Sequence, residues 1–433
     1  MTSVTIGVDS AGERKKQMEA VWILSTGTFL EYFDLMLYVH MITLLNELFF
    51  PTTDPSTGSL IAALGFCSTY FLRPIGALIF GHIGDNDGRK YTVVITMLLM
   101  GLSCLMMILV PTYSKIGIAA SITVTICRML QGMSSMGEIV GAQLYLTEYI
   151  PAPKSYYYVG LISFFTALGG TAALAVGVIV TNVYVADNEF AWRGAFLFGL
   201  MVASTGFVAR TALRETPEYA DASIKYKDAA GKLPKDKVNI KTMVYYFMLG
   251  SMQPAFFYFM YMHCGQILRN KFKFTSGEII ANNFYVSIVC ALGYLVISIL
   301  TKTIHPFKII RFRLFTCYFL IAAILAMDLY VTSSIYILVL QMCVAIFRVN
   351  VFPADPIIFK CIPVMQRFRS AAIVTALSTT AVLAISSFGM AYLCNAFGSI
   401  GLGFIFIPAI VGFAIALKYF ENLTAETQSG QMV

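Results

Sequence analysis

The chain has 433 residues, of which 58% are hydrophobic and only 12% charged, and its mean hydropathy is +0.75. Soluble domains carry about 25% charged residues, so a soluble globular protein is excluded and a polytopic membrane protein is expected. The net charge of +7 calls for no nucleic-acid partner, because the basic residues are segregated by membrane side.

In chain order, apolar runs lie near 20–45, 58–81, 91–111, 116–147, 156–181, 190–212, 242–268, 277–300, 312–331, 334–359, 369–394 and 398–419. Most reach the ~20 residues with which a helix crosses ~30 Å of hydrocarbon, which predicts an all-α fold of twelve transmembrane helices. Twelve crossings put both termini on one side. That side holds 22 of the 30 Lys and Arg residues, against five on the other (Lys115, Arg193, Arg269, Lys271 and Lys273), so both termini are expected in the cytoplasm. The first run contains Glu31 and Asp34 and lacks a small-residue cleavage site, so it is expected to remain as span one. Residues 1–19 then form a tail, 20–212 the first six spans, 213–241 a hydrophilic loop, 242–420 the second six spans, and 421–433 a second tail.

Charges inside these runs are the candidate functional residues, since one buried in hydrocarbon costs at least ~2.5–3.5 kcal/mol. In span one, Glu31 and Asp34 share a helical face, with Tyr38 one turn beyond. Two acids side by side in a low-dielectric site resist ionising together, so one can carry a proton. The competing reading is a salt bridge to Arg73 or Arg128 that holds helices together. Arg73, before Pro74, could bind a substrate carboxylate through its planar fork or serve as counter-ion to Asp34. In span four, Arg128, Gln131, Ser135 and Glu138 fall within one arc of about 80°, a polar stripe that must face protein or a water-filled cavity. Arg128 and Gln131 are candidate substrate contacts, and Glu138 is a candidate proton acceptor. Glu148, near the end of that span, fits a gate better than a binding site.

Between spans two and three, Gly81, Asp85, Gly88, Arg89 and Lys90 are spaced as Gly, three residues, Asp, two residues, Gly, then two basic residues. Gly88 permits a tight reversal, and Asp85 can cap a helix or pair with a cation. This segment resembles the signature loop of the major facilitator superfamily, although Asn86 stands where the pattern has a basic residue. The segments Gly27–Tyr38, Phe71–Gly76, Arg128–Gly132 with Gly137 and Glu138, Ala191–Arg193, Leu213–Pro217 and Tyr258–Met262 resemble one branch, the metabolite:proton symporters. The match is stronger before residue 220. After span eight the basic run from Lys302 to Arg313 lacks the acid and glycine of the repeated theme.

The resemblance implies two six-helix bundles, a substrate bound between them near the midplane, alternating access and energy from the proton gradient. It implies no cofactor and no enzyme chemistry. It also implies a multi-pass protein of a bacterial inner (cytoplasmic) membrane, expected as a monomer in the lipid bilayer, with a small-molecule substrate and H+ as partners. The substrate is expected to bear a carboxylate: an organic acid or dicarboxylate, or a zwitterionic amino acid or betaine. A proton-independent facilitator or exchanger, and a non-transporting nutrient sensor, remain open.

In the second half, Phe256, Phe257, Tyr258 and Tyr261 follow Pro254 in span seven. They could pack the span, or Tyr258 and Tyr261 could face a substrate and offer a cation–π cage. His263 is a candidate pH sensor. Arg348 is a lone cation in the apolar tenth span, seven residues before Asp355, hence about 10.5 Å along an unbroken helix. Pro353 and Pro356 are expected to break that helix and free carbonyls, an arrangement tolerated where a span lines a cavity. Arg348 either anchors an anionic group of the substrate or pairs with an acid such as Asp328 or Asp355. The remaining aromatics at span ends, such as Trp22, Tyr156 and Tyr245, fit interface anchoring. The four histidines show no metal-ligand spacing and the nine cysteines no Cys-x-x-Cys, so no metal is expected. No P-loop or dinucleotide fingerprint appears, which argues against ATP-driven transport.

Overall fold

A computed structural model describes residues 11–50, 69–183, 191–211, 219–220, 224 and 238–428. Among these the chain is helical and has no strand. The long helices of the first half are α1 (Ala11–Phe49), α2 (Arg73–Asn86), α3 (Arg89–Leu109), α4 (Ile118–Tyr149), α5 (Lys154–Val183) and α6 (Ala191–Thr211). In the second half α7 begins at Ile240, runs through a π turn at Phe259–His263 and ends at Phe272. It is followed by α8 (Ser276–Leu300), α9 (Pro306–Leu325), α10a (Ser334–Phe347) and α10b (Asp355–Lys360). The last two helices are α11 (Val364–Phe397) and α12 (Gly403–Gln428). The central loop expected over 213–241 lies mostly outside the described residues.

Local chemistry accounts for the boundaries. The Asn239 side chain accepts from Lys241 N at the start of α7, and Thr275 with Glu278 forms a capping box at α8. Gly88 has φ 115° at the α2–α3 reversal, a conformation that favours glycine. By length and composition Lys90–Leu109, Lys154–Ile179, Gly277–Leu300 and the stretch Val364–Glu426, which contains two helices, qualify as membrane-crossing.

Two boundaries differ from those read in the sequence. Span nine starts at Pro306, because proline suits the first helical turn and His305 accepts from Phe307 N. The basic run around Arg311 and Arg313 is therefore helix, not loop. The reversal expected over 81–90 is confined to Asp87 and Gly88, since Gly81, Gly84 and Asp85 belong to the last turns of α2. The break expected in span ten is present: the chain leaves its helix at Arg348 and resumes at Asp355, with Pro353 in the break and Pro356 in the first turn after it.

Helices α1 to α6 pack among themselves, as do α7 to α12, and the halves meet chiefly where α5 lies on α8 and α2 on α11. Close helix contact in the first half relies on glycine. A Cβ added at Gly132 would sit 1.7 Å from Thr69 O, and one at Gly76 would sit 2.4 Å from Met133 O. Around both halves large apolar side chains such as Leu102, Ile126, Phe315 and Phe319 face outward, as a lipid-facing surface requires.

Candidate functional site

A cavity of about 220 Å³ lies between the halves. Tyr32, Tyr70, Arg73 and Gln143 line it from the first half, and Tyr246, Gln253, Tyr261, Tyr294, Arg348, Asn350 and Asp355 line it from the second. Arg73 is buried at the start of α2, with its guanidinium carbon 4.2 Å from the centre of the Tyr70 ring. Its Nε and Nη2 have no hydrogen-bond partner, and it pairs with no acid among the described residues. The expected Arg73–Asp34 pair is therefore not formed.

Arg348 is held where α10a ends. Its Nη1 reaches Met260 Sδ at 3.4 Å, and its Nη2 donates to Tyr294 Oη at 3.3 Å and to Cys290 Sγ at 3.2 Å. Neither Asp328 nor Asp355 pairs with it: Asp328 accepts from Ser399 N at 2.6 Å, and Asp355 Oδ2 has no hydrogen-bond partner. The π turn contributes as well. Tyr261 lies within it, and the carbonyls of Met260 and Tyr261 accept from Gln341 and Asn283.

The described part of the polar stripe of α4, Arg128, Gln131 and Ser135, faces elsewhere. Asp34 Oδ2 accepts from Gln131 Nε2 at 2.7 Å, and Gln131 Oε1 accepts from Arg128 Nη1 at 2.6 Å. Arg128 Nη2 also donates to Thr69 Oγ1 at 2.6 Å. Asp34, Gln131 and Arg128 are each at most 1% exposed, and none lines the cavity. They are enclosed within the first bundle, where the lack of a side chain at Gly199 makes room for Asp34. Glu31 is buried on the same helix and also lies off the cavity lining. The side chains of Tyr38 and Glu138 lie outside the described residues. Tyr258 is turned away from the cavity, its hydroxyl donating to Ser387 O at 3.3 Å. His263 is buried against Phe259, with Cys394 Sγ 3.7 Å from its Nε2.

On the face that carries the helix ends near Asn86, Tyr149 and Val364, the signature residues meet the second half. Asp85 accepts from the backbone N–H of Phe368 at 3.2 Å and of Arg369 at 3.0 Å. An added Cβ at Gly81 would press on the Arg369 backbone, and one at Gly84 on the Phe368 ring. Glu148 Oε1 lies 3.2 Å from Arg367 Nη1. Lys90 is half-buried at the start of α3, and the Arg89 side chain lies outside the described residues. These contacts join the two halves on this face.

Several lining residues escaped the sequence reading. Gln143, Gln253 and Asn350 stood out as polar residues in apolar runs, whereas Tyr32, Tyr70 and Tyr294 carried no signal beyond composition. Among the described residues no cluster of three or more His, Cys, Asp or Glu side chains could hold a metal, and the eight described cysteines are free.

A sequence profile described as Major Facilitator Superfamily matches residues 24–390. A proline/betaine transporter of Salmonella typhimurium is 32% identical over 242 residues, 55% of this chain and 48% of that protein. A proline/betaine transporter of Escherichia coli K12 is 33% identical over 230 residues, 52% of this chain and 46% of that protein. An inner membrane metabolite transport protein of Escherichia coli K12 is 32% identical over 235 residues, 52% of each. The chain thus spans about half the length of the curated relatives it matches. Among solved structures, a proton:xylose symporter bound to 6-bromo-6-deoxy-D-glucose superposes with a TM-score of 0.75 at 13% identity, covering 95% of this chain and 96% of that one. A superfamily transporter in the outward conformation gives 0.67 at 14% identity, covering 94% and 99%. At such identities the likeness is one of fold.

Proposed function

Because the chain belongs to the Major Facilitator Superfamily, we propose that it is a proton-coupled secondary transporter that imports a small carboxylate-bearing metabolite by alternating access. One observation carries the substrate class. Arg73 from the first half and Arg348 from the second line the same cavity, each with guanidinium N–H groups unspent and neither paired with an acid among the described residues. A buried guanidinium without an anion is costly, and a carboxylate offers the planar acceptor that its fork fits. A substrate held from both halves favours the conformation in which the halves close around it. An organic acid with two carboxylates uses both arginines.

A zwitterionic amino acid or betaine is the second reading. It is supported by Asp355, whose Oδ2 has no partner in the same cavity, and by the rings of Tyr32, Tyr246 and Tyr261, which suit a quaternary ammonium.

Proton coupling falls to Asp34. Its hydrogen bond from Gln131 ties α1 to α4, so a proton on Asp34 changes how these helices hold each other without touching the substrate. A membrane potential of 100 mV supplies about 2.3 kcal/mol per charge, enough for uptake against a gradient. The Lys and Arg bias supports cytoplasmic termini, and the bacterial relatives support an inner-membrane setting, with Asp85, Glu148 and their partners forming the inner gate.

The test is uptake by proteoliposomes containing the full chain, with and without an imposed pH gradient, of labelled succinate, α-ketoglutarate, proline and glycine betaine. Accumulation of an acid only under the gradient supports the first reading, and accumulation of proline or betaine alone supports the second. Gradient-independent equilibration would leave a facilitator, and binding without uptake would leave a sensor.

A further inference from the structure

The break in span ten raises a physical problem that a residue outside the cavity solves. Residues 348–354 leave the helix in an apolar setting, where peptide carbonyls without partners are expensive. Arg313 of α9, 5% exposed, supplies the missing donors. Its Nη1 donates to Asn350 Oδ1 at 2.9 Å and to Phe352 O at 3.2 Å, and its Nη2 donates to Arg348 O. One planar guanidinium thus grips three alternate residues of the unwound segment, 348, 350 and 352. Among the described residues none of its partners is an acid, so it forms no ion pair with them.

The grip continues to the cavity wall. Asn350, whose oxygen Arg313 holds, donates through Nδ2 to Tyr294 Oη at 3.2 Å, and the same hydroxyl accepts from Arg348 Nη2. Arg313 itself does not line the cavity. We infer that Arg313 is a positioning residue: it fixes the unwound segment of span ten so that the Arg348 guanidinium is presented to the anionic group of the substrate. The inference rests on the reading of Arg348 as a substrate anchor. Lysine is a poor replacement here, since a compact ammonium lacks the rigid fork that reaches three acceptors at once.

The test is a double-mutant cycle on the full chain in proteoliposomes, reading KM and Vmax for labelled succinate, proline and glycine betaine. Arg348→Ala raises KM by about tenfold or more. Arg313→Gln raises KM by about tenfold with Vmax largely kept, and the double variant is little worse than either single one. Arg313→Lys, which keeps the charge and is the safer fold, raises KM by about fivefold. If Arg348→Ala leaves KM unchanged, or no probe is taken up, the substrate-anchor reading fails and takes this inference with it. If Arg348→Ala raises KM while Arg313→Lys keeps the wild-type value, or the two effects multiply independently, the positioning role alone is overturned.

Discussion

Arg367 and Glu148 face each other across the two halves, Nη1 to Oε1 at 3.2 Å, with both side chains enclosed. Removing one charge of a buried pair typically costs about 3–5 kcal/mol, because the other is left uncompensated. Glu148→Gln is therefore expected to lower the thermal midpoint in detergent and to loosen the face where this pair joins the halves. Cys361, half-buried beside the contact, should be alkylated faster by a maleimide. An unchanged alkylation rate would remove the pair from the junction, and the exchange of charges in Glu148→Arg with Arg367→Glu should recover part of the loss.

Asp34→Asn keeps an oxygen able to accept from Gln131 while removing the titratable group. Accumulation driven by a pH gradient should disappear, whereas exchange of substrate between equal pools on the two sides should persist. Full accumulation by this variant would exclude Asp34 as the coupling residue.

Gly132→Ala places a methyl 1.7 Å from the Thr69 carbonyl, an obstacle made of backbone that cannot rotate away. Overpacking of this kind costs at least about 1–3 kcal/mol, so a clear drop in thermal midpoint is expected. Gly194→Ala, with nothing within 4 Å of the added atom, should be near neutral. Equal midpoints for the two variants would refute the close approach of the chain at Thr69 to α4.

His305, in the turn before α9, accepts from Phe307 N through Nδ1. Partial burial, and then the nearby Lys308, hold its imidazole below the ordinary histidine range. A depressed base stabilises the fold fully above its unfolded value of about 6.5, and that contribution is lost as pH falls through the lower folded value. His305→Asn retains a capping acceptor that does not titrate. The difference in thermal midpoint between wild type and His305→Asn should therefore change across this acidic window, favouring the variant at low pH. Parallel curves would argue against the cap.

Twelve crossings and the Asp85 to Gly88 spacing are readable because membrane length and a tight reversal are local demands on local residues. Arg348 was readable for the same reason, as a lone cation in an apolar run, and Pro353 with Pro356 announced the break beside it. The facing of the α4 stripe was not. Periodicity tells which residues of α4 share a side, but whether Arg128 and Gln131 look into a shared cavity or into their own bundle depends on how far α1 and α6 approach, which Gly199 decides from another helix. Arg313 was hidden by a boundary: assigned to a basic loop, it could not be expected to reach carbonyls in span ten. The π turn at Phe259–His263 has two carbonyls that accept from Gln341 and Asn283, partners on other helices that a local reading of the turn does not include.

Asp85 grips peptide N–H groups of α11 and asks nothing of the side chains at 368 and 369. Its hold is therefore vulnerable from one direction only. A single replacement at Asp85 abolishes both bonds, while on the opposite wall no exchange of side chain short of proline takes either donor away. Mutational damage at this latch should be lopsided, with the whole sensitivity carried by the half that contributes the carboxylate and almost none by the half that answers it.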